Sequence, residues 1–415
     1  MNKKRKSGIF VTIIAVCLIA CCFYGFVSSK AAAKKTKPKY SITLDKPVYT
    51  LKKGETVKPK AALNKSAKKK GVEWKSSRPE IAFVTKKGKI TAKEDGEAVI
   101  TAKVKGTKVK ASCTVKVGAQ AEIEKVSEDT TVSEIINDPA FGDFGRLLFP
   151  VDQQVSGDMT LADISSSRIY TWYSNIRTDK TVEIVNDLKT RSENGEQIFY
   201  RIYSEKEMDA DPEKRDTGLF YFKGEPGAKY AIMNAGGGFV YVGAMHDSFP
   251  HALEVSKKGY HAFALIYRPD SAYEDLARAI MYVNDHAKEL GIDAQGYSLW
   301  GGSAGARMAA TLGNAKNGPA NYGRPDIPQA AAVIMQYTGY TSVSANDAPT
   351  YACVGTRDGI ADYRTMESRL NKLSSLGIPT EFHVYKGLGH GFGLGTGTVA
   401  DGWIEDAVAF WQAQS

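Results

Sequence analysis

Tyr297-Ser298-Leu299-Trp300-Gly301-Gly302-Ser303-Ala304-Gly305, continued by the apolar stretch to Leu312, is the part of the chain that decides the fold. Tyr297–Trp300 reads as a strand and Ala304–Leu312 as a helix, with a Gly-x-Ser-x-Gly pattern between them. That pattern alone is common. A serine on a sharp strand-to-helix turn is a more demanding arrangement, because the turn exposes the Ser303 hydroxyl. It also places the hydroxyl at a helix N-terminus, where the dipole favours developing negative charge. Gly301 and Gly305 are expected because helix and neighbouring strand pass too close there for side chains.

A serine hydroxyl is a weak nucleophile until a base takes its proton. The sequence has six histidines. His286 falls on an amphipathic helix, and His261 and His383 fall at or in expected strands, so these three read as solvated or structural. His390 lies in Gly387-Leu388-Gly389-His390-Gly391-Phe392-Gly393, a glycine-rich loop just after the last strand, where a base can reach the serine. An acid to orient it should follow a strand between the two. Tyr351–Gly355 is such a strand, and Asp358 follows it in Thr356-Arg357-Asp358-Gly359. Asp362 lies one helical turn further on, and Asp347 precedes its strand. The chain order Ser303, Asp358, His390 matches a strand–turn–helix hydrolase. Stabilising a developing oxyanion needs backbone N–H groups, and Ala235-Gly236-Gly237-Gly238-Phe239 offers a loop of that kind after a strand. A dinucleotide-binding reading of this loop fails, since Gly-x-Gly-x-x-Gly is not matched.

Around these residues the chain alternates. Strand-like runs occur at Ile198–Tyr203, Gly218–Phe222, Ala231–Asn234, Ala262–Tyr267, Tyr297–Trp300, Ala330–Gln336, Tyr351–Gly355 and Glu381–Tyr385. Helical segments lie between most of the later ones; the clearest carries Leu276, Ile280, Val283, Ala287 and Leu290 on one face and stops at Gly291. Such alternation predicts a mostly parallel sheet flanked by helices on both faces. Residues 196–415 resemble the α/β-hydrolase family, and within it the small esterases and lipases with a His-Gly-Gly-Gly motif. The resemblance rests on Gly236-Gly237-Gly238, Tyr267-Arg268, Gly301–Gly305 and Gly389-His390-Gly391-Phe392. It implies a serine esterase with Ser303, Asp358 and His390 as triad and the amides of Gly237, Gly238 and Ala304 as oxyanion donors, without cofactor or metal. Ala235 departs from the pattern, standing where such proteins often have His or Pro. His246 is expected either to border the cleft or to lie on the surface.

Upstream, residues 40–118 change to short alternating stretches, among them Val72–Ser76, Ala98–Val104 and Cys113–Val117, which predict a small all-β sandwich. Trp74–Ala82, Gly88–Ala92 and Gly96–Ala102 resemble the bacterial Ig-like group 2 module, a spacer or adhesive unit of surface proteins. Residues 119–195 are expected to extend the catalytic domain and to pack on it, over its mouth. They include Tyr170, Trp172 and Tyr173, and an amphipathic helix around Val182–Leu188. Residues 1–118 hold 29 Lys and Arg against 7 Asp and Glu, whereas the remainder holds 26 against 39. The basic excess reads first as a solvated face and second as attraction to an anionic cell wall or membrane surface. Nucleic acid is a poor partner, since no aromatics interleave the lysines.

Lys3, Lys4, Arg5 and Lys6 precede an uncharged apolar run, Gly8–Val27, the pattern of an export signal or anchor in residues 1–29. A basic linker, 30–39, follows. Retention as an anchor, lipidation at Cys21 and cleavage near Ala31-Ala32-Ala33 are all compatible with this text, and each predicts an extracytoplasmic, membrane-anchored or secreted protein. Cys113 and Cys353 fall in different domains, so no disulfide framework is expected. Three functions follow: an exported carboxylesterase acting on short acyl esters of small molecules or carbohydrate, a peptidase of prolyl-oligopeptidase type, and a non-catalytic surface-binding protein. The peptidase reading lacks room for a β-propeller, and the binding reading leaves the triad residues without a role.

Overall fold

The computed structural model describes residues 38–118, 125–166 and 168–415. The apolar run Gly8–Val27, and with it the expected anchor, lies outside the described residues. No helix among the described residues is long and apolar enough to cross a membrane. The chain divides into two compact units between Gln120 and Ala121.

Among its described residues the first unit is all-β apart from one short helix, Lys65–Lys70. A four-stranded sheet runs in the order Val48–Leu51, Lys110–Val117, Gly96–Val104, Val72–Ser76. A three-stranded sheet orders Thr56–Val57, Ile90–Ala92 and Ala82–Val84, and Ile42–Leu44 pairs with Ala61–Leu63. The period of two builds the core directly. Along Gly96–Val104 the residues Ala98, Ile100, Ala102 and Val104 are buried, while Glu97, Val99 and Lys103 face solvent. Ile81, Ile90, Ile100, Cys113 and Val115 meet inside, with Trp74 packed against them.

The second unit is built on an eight-stranded sheet. Its order is Phe199–Tyr200, Gly218–Phe222, His261–Ile266, Lys229–Asn234, Asp293–Gly302, Ala332–Gln336, Thr350–Gly355, Thr380–Tyr385. The first three are paired antiparallel and the others parallel. Every residue of Gly218–Phe222, His261–Ile266, Ala332–Gln336 and Thr350–Gly355 is buried, which requires cover on both faces. The helix Ala272–Leu290 ends at Gly291 in a left-handed conformation, φ 68°. Ile198–Tyr203 differs from expectation. Only Phe199–Tyr200 pairs, and the chain then turns into a helix capped by Ser204. Ile202 and Tyr203 are nevertheless buried, so the apolar run reported burial and not extension.

Residues 125–195 share the core of this second unit. Val132, Ile135, Phe141, Leu148, Leu161 and Ile164 join the same buried cluster as the sheet. The helix Thr178–Glu193 turns Ile184, Val185 and Leu188 inward, and Asn186 exchanges hydrogen bonds with the backbone of Val126 at 2.9 and 3.0 Å.

Candidate active site

The strand Asp293–Gly302 delivers Ser303 to the carboxyl edge of the parallel strands, and the helix Ala304–Leu312 begins at the next residue. The turn is tight because its neighbours leave no room. A Cβ on Gly305 would overlap the carbonyl of Asn234, and one on Gly301 would overlap the backbone of Gly305. Ser303 itself holds φ 52° and ψ −113°, a conformation that costs about 1–3 kcal/mol and persists only when its surroundings fix it. One such constraint is its N–H, which donates to Gln336 O at 2.9 Å. Among the described residues the non-glycine positive-φ positions are Phe239, Ser303 and Tyr337, and all three line one open cavity of about 200 Å³. Backbone strain is therefore concentrated around that cavity.

His390 reaches Ser303 from the loop after the last strand. Its Nε2 lies 3.0 Å from Ser303 Oγ, and its Nδ1 lies 2.8 Å from Asp358 Oδ2. A carboxylate only accepts, so Nδ1 carries the proton and Nε2 faces the hydroxyl as acceptor. The Asp358 side chain is fully buried, and its Oδ1 accepts from the N–H groups of Ile360 at 2.8 Å and Ala361 at 2.7 Å. The other aspartates serve elsewhere. Asp362 caps the helix Tyr363–Ser375, and Asp347 binds Asn314 and Arg369. His261 is tied to the Tyr221 hydroxyl at 2.7 Å and His383 to Glu381 at 2.6 Å. His286 Nδ1 meets the carbonyl of Tyr282 at 2.8 Å.

The glycine loop arches over the serine from the end of Lys229–Asn234. Gly238 and Ala304 border the cavity with Phe239, Ser303, Arg307, Tyr337, Thr338, Gly339, Ile360, Ala361 and His390. Gly237 does not. It lies deeper, where a Cβ would run into the carbonyl of Tyr241. Ala235, the departure from the family pattern, is completely buried, and its carbonyl accepts from the Tyr267 hydroxyl at 2.8 Å, which anchors the loop.

The segment after this loop differs from the sequence expectation. Tyr241, Val242, Ala244, Met245, His246 and Asp247 are buried and do not wall the cavity. They are covered because Trp172 stacks on Tyr241, ring centroids 5.4 Å apart, and Tyr173 lies against Gly236 and Gly243. His246 is neither a surface residue nor a border of the cleft. Burial pushes its pKa down to about 3, and its ring meets Tyr170 edge-on at 4.2 Å. The residue that sequence reasoning missed is Asp247, only 2% exposed. Its Oδ2 accepts from Gly236 N–H at 2.6 Å and from the Tyr173 hydroxyl at 3.2 Å, and its Oδ1 accepts from the Tyr337 hydroxyl. Burial, opposed by these bonds, raises its pKa to about 6. The one signal in the sequence was an acid set in an otherwise apolar stretch, which calls for buried donors.

Residues 40–115 match the family model described as bacterial Ig-like domain (group 2), and residues 223–372 match the family model BD-FAE. The second match contains Ser303 and Asp358 and ends before His390. Among the curated proteins none matches the chain. Similar solved structures include an acetyl ester-xyloside bifunctional hydrolase from Caldicellulosiruptor lactoaceticus, 19% identical over 52% of this chain and 95% of that one, TM-score 0.45. A thermophilic esterase from the Planctomycetes species Thermogutta terrifontis is 23% identical over 48% of this chain and 89% of that one, TM-score 0.43. The chain thus carries a bacterial Ig-like domain of group 2 followed by an α/β-hydrolase domain of the BD-FAE family.

Proposed function

We propose that the second unit is a serine carboxylesterase acting on short acyl esters. The observation that carries this reading is Ser303 Oγ, held on a strained turn 3.0 Å from His390 Nε2 and facing an open cavity. In the proposed reaction His390 takes the hydroxyl proton as Oγ attacks the ester carbonyl. The buried Asp358 carboxylate stabilises the imidazolium that forms. Gly238 and Ala304, at the cavity wall, supply amides for the developing oxyanion, Ala304 from the first turn of its helix. Collapse of the tetrahedral adduct expels the alcohol, protonated by His390, and leaves the acyl group on Oγ. Water then enters, loses a proton to His390 and releases the acid, restoring Ser303.

The cavity supports a small acyl group, acetyl to butyryl. Its walls alternate apolar Phe239, Ile360 and Ala361 with Thr338, Gly339 and Arg307. Carbohydrate is a fitting alcohol, since hydroxyl and aromatic groups border the same space. We further propose that the unit works outside the cytoplasm, on the strength of Lys3–Lys6 and the apolar run Gly8–Val27, and that the lysine-rich Ig-like unit faces an anionic wall or membrane surface. A series of p-nitrophenyl esters of increasing chain length tests the substrate claim. Rates should be highest at the short end, and a rate that climbs steadily past about eight carbons would contradict it. Protease applied to intact cells with opened walls should digest the catalytic unit; full protection would overturn the localisation.

A further inference from the structure

Three loops that need a common reference frame meet at Asp247. The glycine loop reaches it through Gly236 N–H, the segment after Ala332–Gln336 reaches it through the Tyr337 hydroxyl, and the N-terminal extension reaches it through the Tyr173 hydroxyl. The serine turn touches it as well, since a Cβ on Gly302 would collide with the Asp247 carboxylate. The extension grips the base loop with the same few residues: Ser174 N–H donates to Gly391 O at 3.1 Å, next to His390, and Gly391 lies against the backbone of Trp172 and Tyr173. The Trp172 ring lies beside Gly238, an amide proposed to bind the oxyanion. A buried carboxylate is costly unless its lone pairs are filled, and here three donors on three segments fill them. Such a group fixes the segments relative to one another, because losing any one donor leaves acceptor capacity unmet.

We propose that Asp247 and Tyr173 are positioning residues for the reaction, setting the glycine loop and its Gly238 amide relative to Ser303, so that residues 170–174 of the extension belong to the catalytic apparatus. This rests on the esterase reading above. Neither residue touches substrate. Both act through Gly236 and the turn at Ser303. Oxyanion donors act on the transition state, so a misplaced donor lowers kcat more than it changes KM. The groups facing Asp247 are the phenols of Tyr173, Tyr241, Tyr267 and Tyr337, the His390 imidazole and the Cys353 thiol.

The test uses the full chain and p-nitrophenyl acetate, with kcat expressed per folded molecule from circular dichroism. Tyr173→Phe removes one hydroxyl and should lower kcat about 3–10-fold with KM little changed. Asp247→Asn should lower it about 10–100-fold, again with KM little changed. Because Tyr173 acts through Asp247, the double variant should be no slower than Asp247→Asn alone. Single variants within twofold of wild type, or a double variant whose losses multiply, would overturn the proposal. So would a folded Asp247→Asn whose loss lies in KM and not in kcat, which marks a merely structural residue. A wild-type protein that hydrolyses no ester would instead sink the esterase reading.

Discussion

Ser303 stands between two buried carboxylates that do different work. On one side Asp358 holds His390, 32 residues further on, and the two loops follow neighbouring parallel strands of the sheet. On the other side Asp247 holds no base. It gathers a backbone amide and two phenols from segments far apart in the chain, Tyr173 and Tyr337 being 74 and 90 residues away. In the proposed reaction the first arrangement orients the proton acceptor and the second the backbone opposite it. The difference teaches where chemistry and geometry are divided in this unit. Changes on the Asp358 side should alter proton transfer, and changes on the Asp247 side should alter the position of donors.

That division gives a ranked set of expected losses. Ser303→Ala and His390→Ala should each lower kcat by about 10⁴–10⁶, and the double variant should be no worse, since the groups act as one unit. Asp358→Asn leaves the shape but offers a donor to Nδ1, which turns the imidazole to the wrong tautomer; a loss of about 10³–10⁴ in kcat is expected. Steady-state kinetics on p-nitrophenyl acetate checks all three. Gly238→Ala forces a side chain onto a residue at φ 66° and against the Trp172 ring, so a loss of about 10–100-fold in kcat is expected, comparable to the Asp247 side and below the Asp358 side. If Gly238→Ala were as damaging as Asp358→Asn, the two sides would not be separable as described. The smallest effect belongs to the Ig-like unit. Removing residues 1–118 should change kcat by less than about twofold, because that unit has its own core and the 125–195 extension packs with the hydrolase.

The two sides also differ in how far they can be read from the sequence. Ser303, Asp358 and His390 follow strands whose apolar runs are local, and each lies in a loop whose glycines mark it. Chain order then pairs them, and the structure brings the three within hydrogen-bonding reach. Asp247 had only a weak local mark, an acid in a mostly apolar stretch, because what makes it matter is burial beneath Trp172 and Tyr173, a tertiary event. For the same reason His246, expected at the cleft border or on the surface, proved to be interior. A mixture of aromatic, small and polar residues suits a wet cleft and a hydrogen-bonded interior equally well. Gly237 and Gly238 are indistinguishable in sequence, yet only Gly238 borders the cavity, since the loop packs Gly237 against Tyr241 and leaves Gly238 at the cavity wall beside Trp172. Ile198–Tyr203 read as a strand because apolarity reports burial whether or not the backbone is extended.

The nucleophile can be tested without knowing the natural substrate. The full chain is treated with a fluorophosphonate, which reacts with a serine hydroxyl only where a base and oxyanion donors activate it, and the labelled peptide is identified by mass spectrometry. A single adduct is expected, on Ser303, lost in Ser303→Ala and strongly slowed in His390→Ala. An adduct on another serine, or labelling that persists in Ser303→Ala, would contradict the assignment of Ser303 as nucleophile and the esterase mechanism built on it.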